Sequence, residues 1–231
     1  MSKLLVEERQ IVVPGSELAE GMDYLPGDYV FRDGEKLVSM RLGIVSIAGR
    51  LVKLVPLSGS YLPNRGDVVI GRVSSVGISG WRVDIGWAFE ANLNLKDASS
   101  DFIERGSDLT KYFDSGDYIM AQITNVAGSK IVDLTMKGPG LKKLSSGRVF
   151  RVNSMKVPRI IGKQGSMISM IKESTNCKVL VGQNGFTWLF GEKIEDELLA
   201  VKSIRKVEAD SHIQGLTDIM KDFLEKNKNG E

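Results

Sequence analysis

The sequence of 231 residues has one cysteine, Cys177, and one histidine, His212. A single cysteine excludes a disulfide within the chain and a zinc site built from cysteines. The longest apolar runs are much shorter than the roughly 20 residues that cross a bilayer. The N-terminus also has no apolar region of signal-peptide length. These absences predict a soluble, cytoplasmic protein that does not bind membranes.

Converging carboxylates, with which a metal-dependent nuclease holds magnesium, are also missing from the sequence pattern. The candidate acids are scattered over predicted loops and outward strand positions: Asp84, Glu90, Asp97, Asp101, Glu104, Asp108 and Asp114. No nucleophile accompanies His212, which is expected at the surface or at a helix cap. No phosphate-binding loop of the Walker type occurs. The sequence therefore predicts a protein that is not an enzyme, with no catalytic residues, no metal site and no cofactor.

The net charge of +2 conceals an uneven distribution along the chain. Residues 137–182 contain ten basic residues and one acid, Glu173, so this segment carries +9 and the remainder −7. A charge run of this kind usually forms a solvated face. Here it surrounds a turn that contains two glycines, and this favours a polyanion as the partner.

That turn, Gly162-Lys163-Gln164-Gly165, lies within residues 157–171 and precedes a predicted helix. Glycine has no Cβ, so a backbone with two glycines can approach another surface closely. The helix that follows directs its N–H groups and the positive end of its dipole at the same place. Phosphate groups are the expected ligand. The alternative is an ordinary glycine turn before an amphipathic helix.

The fold class predicted from the patterns along the chain is a multidomain protein of β and α+β type. Residues 1–64 form a small N-terminal β domain, a barrel or sandwich, with β-prone runs at 29–31, 37–45 and 51–55. Residues 65–138 contain five predicted strands at 68–76, 81–85, 88–93, 116–126 and 131–136, with a polar connection and a short helix at 96–113. Five strands in this arrangement are typical of an OB-fold barrel.

Residues 144–231 form the third predicted domain. An edge strand at 146–153 is followed by the glycine turn and its helix, a hairpin of strands 177–181 and 186–190, and helices at 194–207 and 211–225. The inner faces of the last two helices are expected to be Ile194, Leu198, Val201, Ile204 and Val207, then Ile213, Leu216, Met220 and Phe223. A second Gly-x-x-Gly, residues 182–185, joins two strands and opens no helix. It is therefore interpreted as a structural turn.

Two motifs in these segments resemble known RNA-binding domains. The pattern Ile-Ile-Gly-Lys-Gln-Gly-x-x-Ile at residues 160–168 resembles the core of a type I KH domain, whose loop clamps about four nucleotides. Gly-Asp-Val-Val-Ile-Gly-Arg-Val at 66–73 and Gly-Trp-Arg-Val-Asp-Ile-Gly at 80–86 resemble a ribosomal S1-type domain. Where S1 domains usually carry outward aromatics and a histidine, this sequence has Ser79, Arg82 and Asn94. Trp81 shares a strand face with Val83 and is expected in the core.

The combination of all three segments is similar to the RNA-binding cap subunits of the archaeal exosome. Further marks are Val13-Pro14-Gly15, Tyr61-Leu62-Pro63 and the turn of residues 182–185 with the aromatic strand after it. The resemblance implies that three cap copies sit on a ring of RNase PH-like subunits and guide the 3′ end of single-stranded RNA into it. The predicted RNA-binding residues are Lys156, Arg159, Gly162, Lys163, Gln164 and Gly165 in the KH domain, with Arg72, Arg82 and Lys130 on the barrel.

The alternative function is a free-standing S1/KH RNA-binding factor of translation, ribosome assembly or transcription. A Nus-type factor needs a second KH copy, and polynucleotide phosphorylase has the opposite domain order together with catalytic domains. Co-purification distinguishes the two functions: an exosome cap subunit is expected with an RNase PH-like ring, and a translation or ribosome-assembly factor with ribosomes.

Overall fold

The computed structural model describes residues 2–100, 103–104, 106–211, 213 and 215–228. They divide into two compact units, residues 2–59 and residues 60–228. No helix in this part of the chain has the length and apolar character needed to cross a membrane.

The first unit is a sandwich of two four-stranded sheets. Its strands are β1 Lys3–Leu4, β2 Ile11–Val12, β3 Glu17–Glu20, β4 Leu25–Pro26, β5 Val30–Asp33, β6 Lys36–Ser39, β7 Gly43–Ala48 and β8 Leu51–Pro56. The sheet orders are β1-β3-β6-β5 and β2-β7-β8-β4. Inward apolar residues such as Leu18, Leu37 and Val45 form the core between the sheets.

The single run predicted at residues 37–45 is wrong. β6 ends at Ser39 and β7 begins at Gly43, because β6 pairs with strands of one sheet and β7 with a strand of the other. The chain therefore changes sheets at residues 40–42, which a run of apolar residues does not reveal.

The second unit begins with a closed five-stranded barrel, as predicted. Its strands are β9 Val68–Val76, β10 Gly80–Asp84, β11 Ala91–Asn94, β12 Tyr118–Val126 and β13 Val132–Thr135. β13 pairs with both β11 and β12, which closes the barrel. The predicted short helix is α1, Leu95–Ala98. A sixth strand, β14 Lys142–Leu144, extends the sheet beyond β12.

The inward positions of these strands form the barrel core, and Trp81 lies within it. Its side chain is 1% exposed, and its indole N–H donates to the carbonyl of Phe113 at 2.8 Å. This confirms the prediction that Trp81 is a core residue. The third strand begins at Ala91 and not at residue 88 as predicted, because the chain turns through Gly86 at φ 72° and remains irregular to residue 90.

The KH-type region completes the unit. Its elements are β15 Arg148–Arg151, α2 Val157–Ile161, α3 Ser166–Thr175, β16 Lys178–Val181, β17 Phe186–Phe190, α4 Ile194–Ala209 and α5 Leu216–Lys228. The sheet order is β15-β17-β16, so β15 and β16 are the edges. The helices pack over one face of this sheet through residues such as Ile160, Ile171, Leu189 and Ile204.

The predicted inner face of α4 is partly wrong. Ile194 and Leu198 are 66% and 50% exposed, while Glu197 and Ala200 are buried. The Glu197 carboxylate accepts a hydrogen bond from the Gly191 amide at 3.1 Å and forms an ion pair at 2.7 Å with Arg148 on β15. A buried carboxylate with two partners therefore takes the place expected for leucine.

The predicted inner face of α5 contains one further error. Ile213 is 38% exposed and precedes the helix, whereas Leu216, Met220 and Leu224 are buried. His212, expected at the surface or at a cap, lies outside the described residues.

Candidate nucleic-acid interface

The turn of residues 162–165 connects α2 to α3 through three residues with positive φ. Gly162 caps α2 at φ 76° and ψ 174°, Gln164 has φ 53°, and Gly165 has φ 79°. A Cβ on Gly162 would lie 2.7 Å from both Cβ and the backbone nitrogen of Met167, so only glycine fits. A Cβ on Gly165 would meet nothing closer than 4.0 Å, so that position needs glycine for its backbone angles alone.

The surface of this turn is open and cationic. Arg159, Lys163 and Gln164 are exposed. No acidic residue lies in the first turn of α2 or α3, and no side chain caps the start of α3. A helix start of this kind offers N–H donors and the positive end of a dipole to an anion. The geometry therefore suits a phosphate group, with Lys163 beside it.

Lys156, also predicted to bind RNA, has a bond inside the protein. Its ammonium group donates to the carbonyl of Glu208 near the end of α4 at 2.8 Å. The carboxylate of Glu208 accepts from the amide of Asn153 at 2.7 Å. Lys156 therefore ties the segment before α2 to α4.

The three barrel cations lie on strands and on a turn of the barrel surface. Arg82 faces outward on β10 and donates to the amide oxygen of Asn92 on β11. Arg72 is exposed on β9, with Asp84 as its cross-strand partner. Lys130 is exposed at φ 62° in the turn between β12 and β13.

An exposed aromatic side chain near Lys130 was missed by the sequence analysis. Phe89 is 50% exposed, and the ammonium nitrogen of Lys130 lies 5.8 Å from its ring centroid. Trp87 packs against Phe89 edge to face, at 5.4 Å between centroids. The segment Gly-Trp-Ala-Phe after β10 could have indicated this exposed aromatic residue. Its last two residues, Ala-Phe, were instead assigned to a predicted strand. An aromatic ring beside a cation is a surface on which a nucleobase can stack.

The second glycine turn, residues 182–185, packs against the barrel, and only Gln183 of its four residues is exposed. Asn184 is fully buried, and its amide group donates to the carbonyls of Ile70 at 2.7 Å and Ile85 at 2.8 Å. Its oxygen accepts from the amide of Ile70 at 3.3 Å. Gln183 exchanges two bonds with Val68, one through its backbone N–H and one through its side-chain oxygen. The interpretation of this turn as structural is confirmed.

These bonds pair the part of β9 that has no partner in β10. β10 pairs with β9 only from Arg72 to Val76. Val68 and Ile70 on the same side of β9 bond to Gln183 and Asn184 instead. A Cβ on Gly182 would lie 2.7 Å from the nitrogen of Ile70, so the close approach requires glycine.

An apolar cluster around the turn joins the barrel to the KH sheet. It contains Ile70, Leu144 and Trp188 with Tyr118, Met120, Val149, Leu180, Phe186 and Phe190. Arg151 adds a hydrogen bond to the carbonyl of Gly86 at 3.0 Å. Barrel and KH region therefore share one interface.

The titratable residues do not converge within the described part of the chain. No three His, Cys, Asp or Glu side chains there are grouped in a way that could hold a metal ion. Asp101 and His212 lie outside that part. Cys177 is buried, and burial raises the pKa of its thiol.

The fold and the turn geometry define a class of proteins in which an S1-type barrel is joined to a KH domain. A family model for the S1 domain of RRP4 matches residues 60–125, and a KH-domain model matches residues 147–193. The exosome complex component Rrp4 of Thermococcus kodakarensis is 43% identical over 97% of this chain and 88% of that protein. The chain therefore belongs to the Rrp4 family of exosome complex components, which confirms the resemblance found in the sequence.

Further relatives and a solved structure agree with this assignment. The Rrp4 of Pyrococcus furiosus is 40% identical over 97% of this chain and 86% of that protein. The Rrp4 of Thermofilum pendens is 38% identical over 95% of this chain and 94% of that protein. A crystal structure assigned to an exosome complex RNA-binding protein has a TM-score of 0.65 and 33% identity, and covers 74% of this chain and 98% of that one.

Proposed function

We propose that this chain is the RNA-binding cap subunit of an exosome. It captures single-stranded RNA and guides the 3′ end into a ring of RNase PH-like subunits that degrades RNA by phosphorolysis. The observation that carries the proposal is the open glycine turn of residues 162–165 at an uncapped helix start, in a chain of the Rrp4 family.

The proposed contacts are mostly to the RNA backbone. Gly162 and Gly165 let the strand lie close to the turn, Lys163 and Arg159 neutralise phosphates, and Gln164 offers a neutral donor. Arg72, Arg82 and Lys130 form a second cationic surface on the barrel. Lys156 adds a cation to the KH contacts, since its ammonium group has donors beyond the one that bonds Glu208. Backbone contacts predict weak sequence preference and a steep loss of affinity with salt.

The remaining assignments follow the same proposal. The N-terminal domain, residues 1–64, docks on the ring, with residues 65–138 and 144–231 as the S1-type and KH domains. Apolar side chains exposed on the N-terminal unit support docking: Ile11, Val13, Met22, Leu25, Met40 and Val55. Three copies per ring, a cytoplasmic location and no contact with a membrane are part of the proposal.

The protein itself is proposed to be non-catalytic. RNA incubated with the ring-free protein should stay intact with or without magnesium and phosphate. RNA loss that EDTA abolishes, or that requires phosphate, would contradict this.

The RNA-binding role is tested with Lys163→Glu, measured by fluorescence anisotropy with a single-stranded RNA. We expect affinity to fall about tenfold, equivalent to about 1.4 kcal/mol. The matched control is Lys221→Glu, an exposed lysine on α5. Equal affinity of both variants would refute the role of the turn. Gly162→Asp is not a clean probe, because its Cβ would collide with Met167 and disturb the fold.

The exosome role is tested separately by native mass measurement of the tagged protein with its partners. Three copies on a six-membered ring of RNase PH-like proteins are expected. Recovery with ribosomes and without such a ring would overturn the assignment.

A further inference from the structure

A cleft lies where the barrel meets the KH sheet, away from the glycine turn. Its volume is about 260 Å³, and it is lined by β14, the loop after it, and the start of β16 and end of β17. The lining residues that matter here are Lys142, Lys178, Ser145, Trp188 and Phe190. We propose that this junction cleft binds one nucleotide of the same RNA strand that the glycine turn holds, an inference that rests on the proposed function.

The charge of the junction cleft is positive and uncompensated. No carboxylate lines it. Lys143 is paired with Asp117, but neither Lys142 nor Lys178 forms an ion pair within the described part of the chain. Both are exposed. Two free ammonium groups beside one cleft attract a phosphate diester and release counterions when it binds.

The junction cleft also has an aromatic lining that is held in place, with Trp188 buried and Phe190 partly open. The indole N–H of Trp188 donates to the carbonyl of Ser146 at 2.8 Å, which fixes the ring against the loop after β14. Phe190 lies nearly parallel to Trp188, with 6.4 Å between ring centroids and 12° between planes, and is half-buried. A free phosphate ion has no ring and would gain nothing from stacking on these aromatic side chains. Cations next to a partly open ring are the combination that binds a nucleotide of single-stranded nucleic acid.

The cleft volume suits one nucleotide and not a longer segment, since it lies just below the range of about 300–1,000 Å³ for small-molecule pockets. The hydroxyl of Ser145 adds a hydrogen-bonding group at the rim. Two phosphates flank each nucleotide in a strand, and the two lysines provide one cation for each.

The position of the junction cleft implies a longer RNA footprint. The glycine turn precedes α3, and Lys178 comes three residues after α3 ends. α3 has ten residues and is about 15 Å long, and the two sites lie beyond its opposite ends. A KH loop clamps about four nucleotides. A tetranucleotide is therefore taken up by the glycine turn alone, whereas a longer strand can continue along the β16 edge to the cleft.

The test compares Lys142→Gln/Lys178→Gln with the matched control Lys221→Gln/Lys226→Gln, two exposed lysines on α5. Binding of oligouridylates of about 4 and roughly 12 nucleotides is measured by anisotropy over a range of salt. For the longer RNA we expect affinity about tenfold lower in the cleft variant and a salt slope smaller by about 1.4, the value for two lost contacts to a single strand. The tetranucleotide and the control variant should show no change.

Failure of this inference and of the proposed function are distinguishable. If the wild-type protein binds neither RNA, the proposed function fails. If it binds both and the cleft variant matches the control with the longer RNA, only the junction cleft is overturned. Free uridine monophosphate and inorganic phosphate form the third arm. Binding of either that requires Lys142 and Lys178, with the longer RNA unaffected, would also overturn the proposal. Thermal unfolding of both double variants is expected to match the wild type, because all four side chains are exposed.

Discussion

Asn184→Ala should destabilise the barrel and KH domain together. The variant removes three hydrogen bonds and leaves the amide of Ile70 and the carbonyls of Ile70 and Ile85 without this partner. A typical hydrogen bond contributes about 1 kcal/mol, and a buried group left unpaired costs about 1–3 kcal/mol. We therefore expect a loss of about 3–5 kcal/mol. For a unit of this size that lowers Tm by about 6–20 °C.

The measurement is differential scanning calorimetry of the whole chain. In the wild type we expect barrel and KH domain to unfold in one transition, since they share an interface, and in Asn184→Ala that transition should move down or split. The matched control is Gln183→Ala. The Gln183 side chain is exposed and accepts one bond from Val68 at 2.6 Å, while its backbone bond to Val68 remains. The control should lose about 1 kcal/mol or less.

A Tm for Asn184→Ala within about 2 °C of the wild type, less than the shift for 1 kcal/mol, would refute this reasoning. Equal shifts for the two variants would also do so. Either result would mean that the apolar contacts around Trp188, and not the buried amide, hold the domains together.

Three further predictions concern single sites. Gly162→Ala should cost about 2–3 kcal/mol in urea unfolding and Gly165→Ala about 1 kcal/mol, because Gly162 has both a glycine-only backbone conformation and no room for a Cβ; equal losses would contradict this. Trp81→Phe should cost about 2–3 kcal/mol through a void and an unpaired buried carbonyl, and a loss under about 0.5 kcal/mol would count against it. Partial burial favours a higher pKa for Asp117, but hydrogen bonds from Lys143 and a backbone amide outweigh it and lower that pKa. The stabilisation by Asp117 should therefore be complete above about pH 4 and disappear as pH falls through the lowered pKa. Asp117→Asn should be less stable than the wild type at pH 7, and the difference should shrink as pH falls through the lowered pKa; a difference that does not change with pH would refute this.

Local signals in the sequence predicted the elements that depend on neighbouring residues. The Asn-Gly turn at 184–185 located β17 at Phe186–Phe190. The alternation around Trp81 correctly assigned that side chain to the core. In each case a short-range pattern, either a turn or a two-residue period, determines the outcome.

The errors occurred where a contact with a residue distant in sequence determines which side chain is buried. Glu197 is buried because Arg148, far away in sequence, pairs with it, and the apolar Ile194 and Leu198 are displaced to the surface. No periodicity contains that information. The cationic residues of the glycine turn were found from the motif, but Phe89 was not, because its loop was assigned to a strand.

The way in which β9 is completed limits how this chain can be divided. A barrel fragment ending before residue 182 would expose the N–H and C=O groups of Val68 and Ile70, an open edge that invites pairing with other chains. An isolated KH fragment would in turn leave the aromatic rings around Trp188 without a cover. Truncation or domain exchange should therefore treat residues 60–228 as one piece, with cuts only outside it.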